Sequence, residues 1–250
     1  MQKQIQGVET HYEVMGKGEP LILLHGWGCT WEIWYPIMAD LSQKFTLILP
    51  DLPGFGQSKL LSDDWNSFHY ADWLAKFISE IVGEKQFSLA GHSFGGKIAA
   101  LYAATTPSRL QQLFLIDSAG IPSQLSAAKK FQEKLLGLIG APLKMFLPAR
   151  VQEKILERVG ADDYMSSSDQ QRKIFKHIVK EDISALLPKI SAPTTFIWGS
   201  NDFDTPLVDG KKMQNLVEGS YFASLETGHF PFIEQPQAFI SLMTRNTKAV

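Results

Sequence analysis

The apolar positions of this chain fall into short continuous runs separated by longer segments with helical spacing. Near the start the sequence alternates through Tyr12 and Val14, with Gly16 and Gly18 as turn signals, which predicts a hairpin leading into a strand over residues 20–24. Further apolar runs lie at 45–49, 87–90, 113–116, 194–198 and 221–225. Runs that are apolar on both faces suit parallel strands covered by helices on either side of a sheet. Between them, Tyr70, Trp73, Leu74, Phe77, Ile78 and Ile81 form one stripe with 3.6-residue spacing, and Ile98, Leu101 and Tyr102 another. Alternating strands and helices predict an α/β fold with a mostly parallel, doubly wound sheet.

The alternation breaks between residues 122 and 188. That stretch predicts amphipathic helices, one carrying Phe131, Leu135, Leu138 and Ile139, a second Val151, Ile155, Leu156 and Val159, and a third Ile174, Phe175, Ile178 and Val179. Pro142, Pro148 and Gly160 punctuate them. More than sixty residues without a strand is long for one crossover. The segment therefore reads as a helical insertion, 122–188, into a core made of 1–121 and 189–250. There are no internal repeats and no low-complexity tracts.

Composition narrows the function classes. At 250 residues the chain suits one large domain with an insertion. A formal net charge of −2 and the absence of basic runs argue against nucleic acid or an anionic membrane surface as partner. The first residues lack the apolar core of a signal peptide and no apolar run is long enough to span a bilayer, so a cytoplasmic protein is expected. With Cys29 as the single cysteine, neither a disulfide framework nor a cysteine-based metal site is available. Monomer and homodimer both fit this surface.

Candidate chemistry centres on Gly91-His92-Ser93-Phe94-Gly95, which follows a strand-like run and precedes a helix-like one. A sharp strand-to-helix turn crowds the backbone around its central residue, so glycine is needed on both sides. The turn raises the Ser93 hydroxyl above the carboxyl ends of the strands, at the positive N-terminus of a helix. A glycine-rich turn with an incidental serine is the plainer alternative. A serine hydroxyl needs a base to take its proton. Of six histidines, His229 lies in the loop after the last strand run, on the same sheet edge as Ser93. His92 reads as a packing neighbour of the serine, and His11, His69 and His177 as surface or packing residues. Asp202, after the run at 194–198, is the carboxylate expected to fix the tautomer of His229. Asp204 and Asp117 are its rivals, Asp204 reading as a cap for the next helix and Asp117 as an alternative acid or a loop-capping residue. Backbone amides of Phe94 and of Trp27, in His25-Gly26-Trp27-Gly28, are the expected oxyanion donors. His25, Gly26, Trp31 and Phe230 are expected to line the substrate pocket. No metal or cofactor is called for.

Five segments together carry a resemblance: His25-Gly26-Trp27-Gly28, Asp51-Leu52-Pro53-Gly54-Phe55-Gly56-Gln57-Ser58, Gly91-His92-Ser93-Phe94-Gly95-Gly96, Gly199-Ser200-Asn201-Asp202 with Pro206, and Gly228-His229-Phe230-Pro231. In these the chain resembles the α/β-hydrolase fold superfamily over nearly its whole length. The resemblance implies a Ser-Asp-His triad in that chain order and a cap that selects the substrate. Epoxide hydrolases and dehalogenases of similar fold carry Asp where this chain has Ser93, which disfavours their chemistry. The first two segments also resemble the carboxylesterases of biotin synthesis, but the cap shows no matching signature and that substrate is not carried over. The expected activity is hydrolysis of a small carboxylic ester through an acyl-enzyme. Carbon–carbon bond hydrolysis of the meta-cleavage-product type, or a related lyase reaction, is the alternative, with Arg150, Arg158 or Arg172 to meet an anionic substrate. A non-enzymatic ligand receptor is the third reading.

Overall fold

The computed structural model of the chain describes residues 1–60, 62–105, 109–122 and 168–245. Each apolar run becomes a strand and the N-terminal segment supplies two more: β1 (Gln2–Ile5), β2 (Val8–Gly16), β3 (Glu19–Leu24), β4 (Phe45–Pro50), β5 (Phe87–His92), β6 (Leu110–Ile116), β7 (Thr194–Gly199) and β8 (Tyr221–Leu225). They form one sheet in the order β1-β2-β4-β3-β5-β6-β7-β8. β2 runs antiparallel to β1 and β4, and all pairings from β4 onward are parallel. Every residue of β5 and β7 is buried, as strands covered on both faces must be.

The hairpin lies one turn earlier than the sequence suggests. It joins β1 to β2 through Gln6 and Gly7, both at positive φ, as a two-residue turn with right-handed twist demands. Gly16 and Gly18 end β2 without forming a hairpin to β3, because β4 sits between the two strands. A Cβ on Gly18 would collide with the Lys44 carbonyl, so the glycine lets the chain cross the start of β4 closely.

Side chains alternate between two cores. Ile22 and Leu24 of β3 face the core covered by α2 (Ser67–Ile81) and α3 (Phe94–Thr105). Leu21 and Leu23 face the core covered by α1 (Tyr35–Leu41) and by the closing helices, which are numbered below. The stripe read from the sequence is the buried face of α2, from Tyr70 to Ile78. Its start is a capping box: Asn66 Oδ1 accepts the Phe68 and His69 amides at 3.0 and 3.1 Å, and His69 Nδ1 accepts the Asn66 amide. His69 is thus a capping residue. In contrast, α3 is buried almost all round, which explains its weak amphipathic pattern.

Of the expected insertion, the described part includes α4 (Asp169–Ile178), with Ile174 and Ile178 buried as the spacing predicts. The first two expected helices lie outside the described residues. After β7 come α5 (Leu207–Asn215), then α6 (Pro231–Glu234) and α7 (Pro236–Met243) close the chain. Among the described residues, no helix is long and apolar enough to cross a membrane.

Candidate active site

Between the last residue of β5, His92, and the first of α3, Phe94, stands Ser93 alone, with φ at +51°. A side chain in this left-handed region costs on the order of 1–2 kcal/mol, so neighbours must hold it there. They do so through the backbone: Ser93 N–H donates to Ile116 O (3.0 Å), and Ser93 O accepts from Lys97 N (3.2 Å) and Ala119 N (3.0 Å). From Phe87 to Ala103 every residue is buried except Ser93. The strain lifts one hydroxyl out of an otherwise closed core.

The flanking glycines permit this turn. A Cβ on Gly91 would strike the Gly95 carbonyl, and one on Gly95 would lie 2.5 Å from the Leu24 and His25 carbonyl oxygens. Both obstacles at Gly95 are main chain and cannot rotate away. Gly95→Ala is therefore expected to cost about 1–3 kcal/mol of stability, read as a lower thermal midpoint. An unchanged midpoint would contradict the close packing of elbow and strand.

β3 lies beside β5, with Leu24 opposite Gly91, so the loop after β3 emerges next to the elbow. A Cβ on Gly26 would sit 2.9 Å from His92 Nδ1 and 3.3 Å from Ser93 Cβ. His25 is fully buried; its Nδ1–H donates to Gly26 O (2.8 Å) and its Nε2 accepts the Leu52 amide (2.9 Å). Burial, opposed by the Asp51 charge, lowers its pKa and suits this neutral tautomer. Both ring nitrogens of His25 thus serve the main chain and shape the loop. Trp27 packs against Phe55, Phe94 and Phe175, at ring distances of 4.8, 5.3 and 5.2 Å. Phe175 belongs to α4, so this helix reaches the loop beside Ser93. Gln171 Nε2 donates to Gly54 O (2.6 Å) from the same helix. Lys97, buried behind the elbow, donates to Ile178 O (2.5 Å) and Glu181 O (3.2 Å) just after it.

Trp31 faces elsewhere. Its ring meets Tyr35 and His11 and packs on the opposite core from Trp27, while its amide donates to Asp51 Oδ1 (3.0 Å). Asp51 Oδ2 accepts the Gln57 amide (3.0 Å) and faces His11 Nδ1 (3.0 Å), so the 51–58 segment is a clasp between loops.

The later loops meet at the same edge. His229 Nδ1 lies 2.8 Å from Asp202 Oδ2, with Asp202 buried and His229 largely so. Asp202 Oδ1 accepts the amides of Asp204 (2.8 Å) and Thr205 (3.1 Å), and its Oδ2 accepts the Thr205 hydroxyl (2.6 Å). Burial alone would raise the Asp202 pKa, but the His229 ring and these donors hold it at about 2. Conversely, burial would lower the His229 pKa, and the Asp202 charge and hydrogen bond raise it above 6.5. His229 is anchored from both sides: its carbonyl accepts His92 Nε2–H (2.7 Å), and the preceding Gly228 amide is held by Glu234 (2.9 and 3.0 Å). Phe230 packs on the His92 and His229 rings at 5.0 and 5.2 Å. Burial and the nearby His229 ring push the His92 pKa well below the usual histidine range, which fits its role as a neutral donor.

Asp204 does not cap α5, whose N-cap is Pro206 with no side-chain hydrogen bond; the turn is closed instead by Asp202 and Thr205. Thr205, His92 and Glu234 support the site without any sequence signal beyond their neighbourhood. Arg172 pairs with Asp169 at 3.7 Å on its own helix, whereas Arg150 and Arg158 lie outside the described residues. Asp117, Asp202 and His229 each bring a ligand-type atom within 4.8 Å of the others. Asp202 and His229 already face each other at 2.8 Å, so the set suits proton handling better than a cation.

The α/β-hydrolase fold family model matches residues 19–140. The chain is 30% identical over 247 residues to the pimeloyl-[acyl-carrier protein] methyl ester esterase of Legionella pneumophila (strain Corby), covering 93% of this chain and 97% of that one. The crystal structure of a membrane phospholipase A, a bacterial virulence factor, matches with a TM-score of 0.79 at 26% identity, over 97% of this chain and 83% of that one. A meta-cleavage product hydrolase from Pseudomonas fluorescens IP01 matches with a TM-score of 0.77 at 20% identity, over 97% and 96%, a likeness of fold alone. Identity of 30% along almost the full length of an esterase, on a sheet with this strand order, means that the chain belongs to the α/β-hydrolase fold superfamily.

Proposed function

We propose that this protein is a serine carboxylesterase in which Ser93, Asp202 and His229 form the catalytic triad. The observation that carries the reading is the lone exposure of Ser93 at a left-handed elbow, on the sheet edge where His229 meets an ionised Asp202. His229 takes the Ser93 proton on Nε2 while its Nδ1–H stays bonded to Asp202. The serine oxygen then attacks the ester carbonyl, and the amides of Trp27 and Phe94 hold the oxyanion. His229 next gives its proton to the leaving alcohol. A water, deprotonated by the same ring, then attacks the acyl-enzyme and releases the acid.

Residues 122–188 act as a cap in this reading, with Phe175 supplying part of the pocket wall opposite Trp27. Phe55, Phe94 and Tyr70 back that wall with buried aromatic rings, which suits an apolar acyl or alcohol part. The Legionella relative acts on a methyl ester, by its name, and a small ester substrate is proposed here too.

Purified protein is expected to release p-nitrophenol from esters in a series from acetate to octanoate. Release from none of them would defeat the proposal and favour a ligand receptor. The pH profile follows from His229. The base must be neutral, and Asp202 holds its pKa above 6.5, so kcat/KM should fall as pH drops through a midpoint above that value. A midpoint below 6.5 would show that burial outweighs the Asp202 charge.

A further inference from the structure

A second carboxyl group stands behind Asp202. Asp117 directly follows β6 at φ +40°, a conformation that aspartate adopts rarely and that the neighbouring strand holds in place. Its amide donates to Ile197 O (3.0 Å) in β7, and its carbonyl accepts the Thr205 hydroxyl (2.9 Å). The side chain is wholly buried. Its Oδ1 accepts the Gly199 amide at 2.8 Å, but its Oδ2, equally buried, receives no N–H or hydroxyl among the described residues. Its neighbour is the Asp202 carboxylate: an oxygen of each acid lies within 4.8 Å of the other. Two buried carboxyl groups this close favour a proton on one of them, because two like charges are costly there.

We propose that Asp117 is a neutral carboxylic acid in the resting protein and is a positioning residue, its Oδ2–H donating to Asp202 and so orienting the carboxylate that holds His229. The assignment of the proton is one-sided. Asp202 faces His229 Nδ1, the Thr205 hydroxyl and two amides, all of which favour its charged form. Asp117 has one amide, and it faces the negative charges of Asp202 and, farther off, Glu234. Burial and the Asp202 charge push its carboxyl well above the usual carboxylate range. A neutral acid here supplies a donor that a water or an amide would otherwise have to provide, with no net charge to oppose Asp202. The positioning role rests on the triad reading, whereas the protonation state does not.

Two variants separate the possibilities. Asp117→Asn keeps the shape, the acceptor for Gly199 and a donor toward Asp202. Asp117→Ala removes all three functions of the side chain. Folding of wild type at neutral pH must take up a proton on Asp117 that the unfolded chain has already lost. Stability therefore falls as pH rises from the unfolded aspartate value toward the raised folded one, and the Asn variant lacks that slope. The thermal midpoint of Asp117→Asn relative to wild type should accordingly be about 2–4 °C more favourable at pH 8 than at pH 4.

In ester hydrolysis, Asp117→Asn should keep kcat/KM within about threefold, with the acid limb unmoved. Asp117→Ala should lower kcat/KM on the order of tenfold. It should also move the limb to higher pH, because an Asp202 without its donor draws the proton of His229 more strongly; Asp204, Glu234 and His92 are the other charged or titratable groups facing that ring. The proposal is overturned if the Asn variant is destabilised more at pH 8 than at pH 4, or fails to fold at pH 8, since a carboxylate would then be required. It is equally overturned if the limb moves alike in both variants. Absence of ester turnover in wild type would remove the triad reading, and the pH dependence of the midpoint would still decide the proton.

Discussion

Ser93→Ala is expected to lower kcat/KM for p-nitrophenyl esters by about 10⁴-fold or more while leaving the fold intact. The expectation rests on what the hydroxyl does and does not touch. The elbow is held by main-chain bonds from Ser93 to Ile116, Lys97 and Ala119, none of which uses the side chain. Alanine and serine tolerate the left-handed φ about equally, so stability should change by less than about 1 kcal/mol. What is lost is the hydroxyl of the one residue from Phe87 to Ala103 that is not buried. Without it no acyl-enzyme forms, and the residual rate is what oriented amides and His229 provide to a water. Two measurements check this together: steady-state release of p-nitrophenol, and the mass of the protein after exposure to an alkyl phosphonate. Wild type should gain one adduct and the variant none. A variant that keeps more than about a hundredth of the wild-type rate would place the nucleophile elsewhere.

Much of this arrangement was legible because it is local. The runs at 87–90 and 194–198 are apolar on both faces, and that pattern suffices to put them inside the sheet. The elbow announces itself through Gly91 and Gly95, whose reason is steric and lies within five residues. The misplaced hairpin turn has a physical cause as well. Gln6-Gly7 lacks the Asn or Asp that usually marks such a turn, while Gly16 and Gly18 serve a strand crossing that depends on where β4 lies.

Relations between distant strands were not legible. Pairing of Ile116 with Ile197 sets Asp117 against Gly199, and only that register joins it to Asp202, eighty-five positions on. His11 looked like a surface or packing residue because its partners, Asp51 and Glu13, meet it across the β2–β4 pair and along β2. An aromatic residue such as Trp31 suits a pocket by type, but the short helix it begins turns it toward the other core. The Thr205 hydroxyl sits between the Asp202 carboxylate and the main-chain carbonyl of Asp117, a contact set by the same register.

Asp202→Asn is the second large effect, expected to lower kcat/KM at pH 7 by about 10³–10⁴-fold with little change in structure. The carboxamide can keep the shape of the loop, since its oxygen can still accept from Asp204 and Thr205. It then turns an N–H toward His229 Nδ1, which must accept instead of donate. The tautomer that results carries its proton on Nε2, on the side where a base has to receive one from Ser93. A second consequence separates this account from simple loss of packing. In wild type the Asp202 charge is what raises the His229 pKa against burial. With the charge gone, burial is opposed only by the smaller effects of Asp204 and Glu234, and the His229 pKa must drop. The small residual activity of the variant should therefore persist to lower pH than wild type, with its acid limb displaced toward acid. Measuring kcat/KM across the pH range for both proteins checks the displacement. An acid limb unchanged in the Asn variant would mean that Asp202 does not set the proton affinity of His229, and the acid of the triad would have to be sought at Asp117.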